Sequence, residues 1–314
     1  MNGFRRTGLG LAIALGGLAA AAPFLPQWAL FLVVISLAKG LAALGLLLLM
    51  RTGLVSFGQG LYFATGAYAA GVAANSLGVG DAALMVLGGG AAAALVAALL
   101  GLLLARYRAI FFAMLSLAFS MILYGILVKS PALGSTDGFN VSPKTALGVS
   151  LSTGPGRYGI YSLAALGAFA CALAVDRYLR SYLGRLAPAV RDNELRVEYM
   201  GASVRNVVHL NLIIAGALAG VGGAITALAV GHVDPEMAYW TTSGEFVFVA
   251  ILSGTSSVAA PFAGALVLEA LRSFAYEHAP NSWQLVMGAA MLAVILFLPD
   301  GLWSVFRRRR RTAT

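Results

Sequence analysis

The chain has 314 residues, 60% of them apolar and 11% charged, with a formal net charge of +9. Soluble domains run nearer half apolar and a quarter charged, and this much apolar surface would stand exposed in water, so a water-soluble globule is excluded. Nucleic acid is excluded as a partner because the basic residues lie in short clusters between apolar stretches, with no basic face or stacking platform.

Backbone groups in lipid must be bonded within the protein, which leaves helices or a closed barrel. Barrel strands alternate apolar and polar residues, whereas Leu41–Met50 and Ala91–Ala105 are unbroken, so the expected fold is all-α, a polytopic integral membrane protein. A crossing takes about 20 mostly apolar residues. Ten transmembrane helices are expected on that basis, at 8–26, 28–50, 60–77, 82–105, 109–128, 158–178, 206–230, 244–258, 261–278 and 283–299. The whole chain reads as one transmembrane domain, 1–314, with a charged loop at 179–205.

The first span follows Arg5-Arg6 and ends in Ala19–Ala22, a pattern that fits a cleavable signal peptide as well as a signal anchor. The uncleaved reading is adopted. Alternating the spans from a cytoplasmic N-terminus puts sixteen of the 21 Lys and Arg residues inside, among them Arg51, Arg106, Arg108, Arg177–Arg205 and Arg307–Arg311. Three face outside (Lys129, Lys144, Arg157), and Lys39 and Arg272 fall within spans. This bias places both termini in the cytoplasm. Spans two to five and seven to ten form two sets of four, opposite in orientation, which is the arithmetic of an inverted repeat.

Between the second and third spans runs Arg51-Thr-Gly-Leu-Val-Ser-Phe-Gly-Gln-Gly60, then Leu-Tyr-Phe-Ala-Thr-Gly-Ala-Tyr68. Irregular backbone at membrane depth is tolerated where protein buries it or where it lines a watery cavity. Ser56, Gln59 and Tyr62 are therefore candidates for lining a path; the alternative is a plain turn followed by small-residue packing. Arg108–Phe119 opens an aromatic span containing Ser116, and Gly134-Ser-Thr-Asp-Gly138 beyond it places Asp137 in a segment that reads first as a turn. In the charged loop, Asn193 can cap a short helix over Glu194–Met200 that Gly201 ends. Such a helix suits docking into a partner's groove; otherwise it is a solvated loop helix held by Arg–Glu pairs.

Charges inside spans are costly and face an interior or a partner. Glu269 and Arg272, three apart, are expected to pair. Lys39 needs an acidic group on another helix or subunit, and Glu245 reads as lying at the outer membrane edge. A P-loop, H-E-x-x-H and G-x-S-x-G are all missing, the three histidines are scattered, and Cys171 is single, so neither an enzyme nor a cofactor or metal is expected.

Together these segments resemble the permease family of branched-chain amino acid ABC importers, closest to the M-type permease of the pair. Its motifs correspond to Gly53–Gln59, Phe63–Tyr68, Arg108–Phe119, Leu133–Gly138, a charged coupling motif around Arg191–Gly201, and Phe297–Leu302. The loop departs from the motif at Pro188 and Tyr199. The resemblance implies a sister permease, two cytoplasmic ATPase subunits and a periplasmic solute-binding protein as partners in a bacterial inner membrane, with lipid around them. It also implies a coupling helix at about Ala189–Met200, carried by Arg191, Asp192, Asn193, Glu194, Glu198 and Gly201. Ser56, Gln59, Tyr62, Ser116 and Asp137 are the translocation-path candidates. The solute class implied is a branched-chain or hydrophobic amino acid, or a similar small carboxylate or amide, moved by alternating access. A stand-alone secondary transporter or channel is the alternative; it would need a coupling-ion site, and no intramembrane carboxylate cluster stands out.

Overall fold

A computed structural model of the chain describes residues 10, 15–17, 24–143, 145–146, 149–150, 158–278, 280, 282–297 and 301–303. Most of the expected first span, Lys144, Arg157, Pro299, Asp300 and the Arg307–Arg311 cluster lie outside the described residues. The helices in chain order are α1 (Gln27–Arg51), α2 (Gln59–Asn75), α3 (Ala82–Leu104), α4 (Ala109–Val128), α5 (Gly159–Arg180), α6 (Tyr182–Asp192), α7 (Glu194–Tyr199), α8 (Val204–Val230), α9 (Trp240–Ser253), α10 (Ala260–His278) and α11 (Trp283–Phe297). Strands are two residues long: β1 (Phe139–Asn140) pairs antiparallel with β4 (His232–Val233), and β2 (Thr145–Ala146) with β3 (Val149–Ser150). The fold is all-α, as the long apolar runs require.

Five of these helices, α1, α3, α4, α5 and α8, are long and apolar enough to cross a membrane. Two others begin part-way along the bundle. At ~1.5 Å per residue, α2 and α9 are roughly 25 Å and 21 Å long, short of the ~30 Å hydrocarbon layer. A non-helical stretch precedes α2, and β4 followed by a single 3-10 turn, Pro235–Ala238, precedes α9. The expected span at 244–258 is displaced: α9 starts at Trp240 and stops at Ser253, because Gly254 takes φ 78° and turns the chain.

The core is built around α1 and α8. The apolar stretch of α1 is 78% buried inside the protein and that of α8 67%, against 33% for α3 and 22% for α4. Small residues bring α8 into backbone contact with its neighbours. A Cβ on Gly66 of α2 would strike the Gly220 carbonyl, one on Gly223 would strike the Phe63 carbonyl, and one on Gly45 would lie 2.7 Å from the Ala215 carbonyl. Within a bilayer, where lipid tails are as apolar as leucine, close van der Waals packing of this kind is what holds helices together.

Candidate functional site

The segments that lead into α2 and α9 come together inside the bundle, the second through its 3-10 turn, which packs on the start of α2. Each leaves a long helix at a glycine in the left-handed region, Gly53 at φ 79° and Gly231 at φ 74°, a conformation that costs any residue with a Cβ. The first segment then feeds α2, whose N-cap, Gly58, offers no side chain. The N–H groups left without partners at a helix start are taken instead by hydroxyls. Phe57 N donates to Ser116 Oγ of α4 (3.1 Å), Gly58 N to Ser56 Oγ (3.2 Å), and Gly60 N to Ser243 Oγ of α9 (2.9 Å). Ser120 of α4 donates to the Ala238 carbonyl of the second segment (2.7 Å). Ser116 thus holds the segment before α2, and Ser120 the 3-10 turn before α9.

Ser56, Gln59, Ser116 and Tyr62 are all brought to this crossing or next to it, and every one is at most 2% exposed. Tyr62 packs on α8, where a Cβ at Gly216 would lie 3.4 Å from its ring. Both amide atoms of Gln59 are buried with no hydrogen-bond partner among the described residues, an arrangement that costs about 1–3 kcal/mol. Asp137 is elsewhere. It sits exposed in a turn, its N–H on the Gly134 carbonyl and Oδ1 accepting from Thr136, and the adjoining Gly138 packs on Val233 and Asp234. Sequence reasoning missed Ser120 and Ser243. A signal existed for Ser120, since residues four apart share a helix face.

A second cluster lies between α1, α9 and α10. Lys39 Nζ is 2.8 Å from both Glu245 Oε1 and Glu269 Oε1. Arg272 closes the ring, 2.7 Å from Glu245 and 3.4 Å from Glu269. Glu269 and Arg272 pair as the i,i+3 spacing led one to expect, and Lys39 finds its acids on other helices. Glu245 corrects the sequence reading: its side chain is 16% exposed and bonded to two cations, so it belongs to the bundle interior rather than an outer edge. Two cations and two anions leave the ring formally neutral, the form in which charge is tolerated at such depth.

At the end of the bundle that carries Arg51 and Arg108, the charged loop folds as two helices. Ser181 caps α6, accepting from Gly184 N, and α6 buries Leu186, Ala187 and Val190. Asn193 (φ −162°) breaks the chain and caps α7, Oδ1 accepting from Arg196 N at 2.9 Å, while Gly201 at φ 83° ends it. The cap and stop at Asn193 and Gly201 are as read from sequence. A continuous helix over Ala189–Met200 is not what forms: α6 runs through Pro188 and stops at Asp192, because Asn193 caps best from extended backbone. Arg191, Asp192, Asn193, Glu198 and Gly201 are exposed; Glu194 is turned back, accepting from Arg108 Nε at 2.7 Å.

Between α2, α3 and α4 lies a largely apolar cavity of about 330 Å³, lined by residues that include Leu61, Tyr68, Val96, Phe119 and Leu127. No group of three or more His, Cys, Asp or Glu that would hold a metal occurs among the described residues.

Long apolar helices packed through glycine, two shorter helices that start within the bundle and a short helix pair at one end define a multi-pass α-helical membrane protein. Residues 27–296 match the family described as branched-chain amino acid transport system / permease component, and the chain belongs to that family. It is 26% identical over 282 residues to the high-affinity branched-chain amino acid transport system permease protein LivM of Escherichia coli (strain K12), covering 82% of this chain and 65% of that one. The figures for LivM of Salmonella typhimurium are the same. BraD of Pseudomonas aeruginosa, a permease protein of the same description, is 26% identical over 124 residues, 39% of this chain and 40% of BraD. The chain thus spans a little under two thirds of the LivM length. No solved structure matches it.

Proposed function

We propose that this chain is a membrane-embedded permease subunit of an ATP-driven importer for branched-chain or other hydrophobic amino acids. The observation that carries the reading is the family match over residues 27–296 together with relatives whose names specify branched-chain amino acid transport. ATP hydrolysis belongs to two separate cytoplasmic ATPase subunits. A sister permease completes the pore, and a periplasmic binding protein delivers the solute. The α6–α7 pair is the ATPase-docking element, presenting Arg191, Asp192, Asn193 and Glu198 on its exposed side, with Gly201 ending it. The end that carries it is cytoplasmic, as are both termini, in a bacterial inner membrane.

Ten spans arranged as an inverted repeat complete the reading. Its support is a correspondence of parts. Helices α1 and α8 each run to a left-handed glycine, a connecting segment and a short helix; α3 packs on α8 as α10 packs on α1. In such folds solute paths run past discontinuous helices at the repeat interface. Ser56, Gln59, Tyr62 and Ser116 at the crossing point line the path when it opens, and Asp137 in its turn faces the delivering side.

The test is co-purification in mild detergent of the tagged chain, expressed with its neighbouring genes, followed by reconstitution. Two ATPases and a second permease are expected, with uptake of leucine that requires ATP; both ATPases are lost in an Arg191→Glu/Glu198→Lys variant. Recovery of the chain alone, still moving leucine in ATP-free vesicles, would replace this reading with a secondary transporter.

A further inference from the structure

Arg108 sits at a junction. Its guanidinium is fixed on three sides, Nε donating to Glu194 of α7 (2.7 Å) and Nη1 to the Ala105 (2.8 Å) and Tyr107 (2.9 Å) carbonyls. It is also the N-cap residue of α4, and the next residue, Ala109, is held at φ 48°. A left-handed alanine costs roughly 1–2 kcal/mol and persists where its surroundings over-determine it. From Arg108 the helix runs ~12 Å to Ser116 and ~6 Å further to Ser120, the two hydroxyls that clasp the connecting segments. Outside these contacts α4 is the least enclosed of the long apolar helices.

A second arm leaves the same loop. The stem of Arg191 lies against Gly53, where an added Cβ would stand 3.3 Å from Arg191 Cγ. Gly53 begins the segment whose Phe57 N–H is held by Ser116. The contacts therefore close a circuit: α7 to Arg108 to α4 to Ser116, and α6 to Gly53 to Phe57, meeting at one hydrogen bond inside the bundle.

We infer that Arg108 and Glu194 form a strap through which displacement of the α6–α7 loop moves α4 and releases the two clasped segments. This rests on the reading of that loop as the ATPase-docking element. Both residues are positioning residues, acting on the path through Ser116 and Ser120. Among the acids of the loop, Glu194 is the one tied to α4, through its bond from Arg108 Nε. The pair is partly solvated, so its contribution to stability is small, in the range typical of surface ion pairs. Its loss should be felt in coupling.

The experiment measures leucine uptake and ATP hydrolysis side by side in the reconstituted complete transporter, for Glu194→Gln, Arg108→Gln and the exchange Arg108→Glu/Glu194→Arg. The single variants should retain both ATPases and hydrolyse ATP while leucine moved per ATP falls about 2- to 5-fold, as much as an ion pair of this exposure can transmit. The exchange should restore most of that loss. Unchanged uptake per ATP in Glu194→Gln, or a loss that the exchange leaves untouched, would overturn the strap. Glu194 is on an exposed loop, so Glu194→Gln decides the matter even if Arg108→Gln does not fold. Failure of the parent reading is seen separately, as an unsubstituted chain that binds no ATPase.

Discussion

Helices α8 and α4 are both long and apolar, yet they are held by different means. Helix α8 touches α1, α2 and α3 through backbone, glycine against carbonyl, so no side chain can turn aside to let it slide. Helix α4 buries only Phe112 and Leu127 among its apolar side chains and is otherwise attached by directional contacts: an ion pair at its start, one hydroxyl accepting from Phe57, and one donating to Ala238. Close packing makes α1–α8 a fixed hub, while α4 is held by bonds that exchange at little cost. A protein that must open a path without unfolding needs both kinds of element.

Gly66→Leu should break the hub, and its effect should be the largest. The added side chain meets the Gly220 backbone, so the loss should exceed the usual overpacking cost of about 1–3 kcal/mol. It is read as loss of monodisperse protein in detergent. Lys39→Met comes next. It leaves Glu245 and Glu269 to share one arginine, and removing one member of a buried ion pair costs about 3–5 kcal/mol. The thermal midpoint in detergent should fall accordingly, and Glu269→Gln added to Lys39→Met should recover part of it. Ser116→Ala should be smaller, about 1–3 kcal/mol for the Phe57 N–H it strands, with amide exchange at Phe57 speeding up and the hub's amides unchanged.

The helices of the hub were legible in the sequence as apolar spans, because hydropathy is a local property; their packing through glycine was not read. Span positions for α1, α3, α4, α5 and α8 followed from length alone. The mid-bundle starts of α2 and α9 were not legible, because apolar composition does not reveal where a connecting segment gives way to helix. The Arg51–Gly60 segment carried the correct hint in its glycines and polar residues, whereas its counterpart before α9 gave none that was recognised. Helix α6 was hidden by Pro188, whose usual effect is to end a helix. The Lys39 ring was foreseen only for the Glu269–Arg272 pair, since Lys39 meets Glu245 and Glu269 across 206 and 230 residues. Family motifs singled out the charged loop, but which of its acids pairs with Arg108 is a matter of tertiary packing.

The most direct test of hub and mover is a pair of spin-label distances in the assembled transporter, on a Cys171→Ser background. One pair joins exposed Ile122 of α4 to exposed Val230 of α8, the other joins exposed Phe31 of α1 to Val230. Trapping ATP should change the Ile122–Val230 distance and leave Phe31–Val230 as it was. Two unchanged distances, or equal changes in both, would contradict a fixed hub with α4 as its moving part.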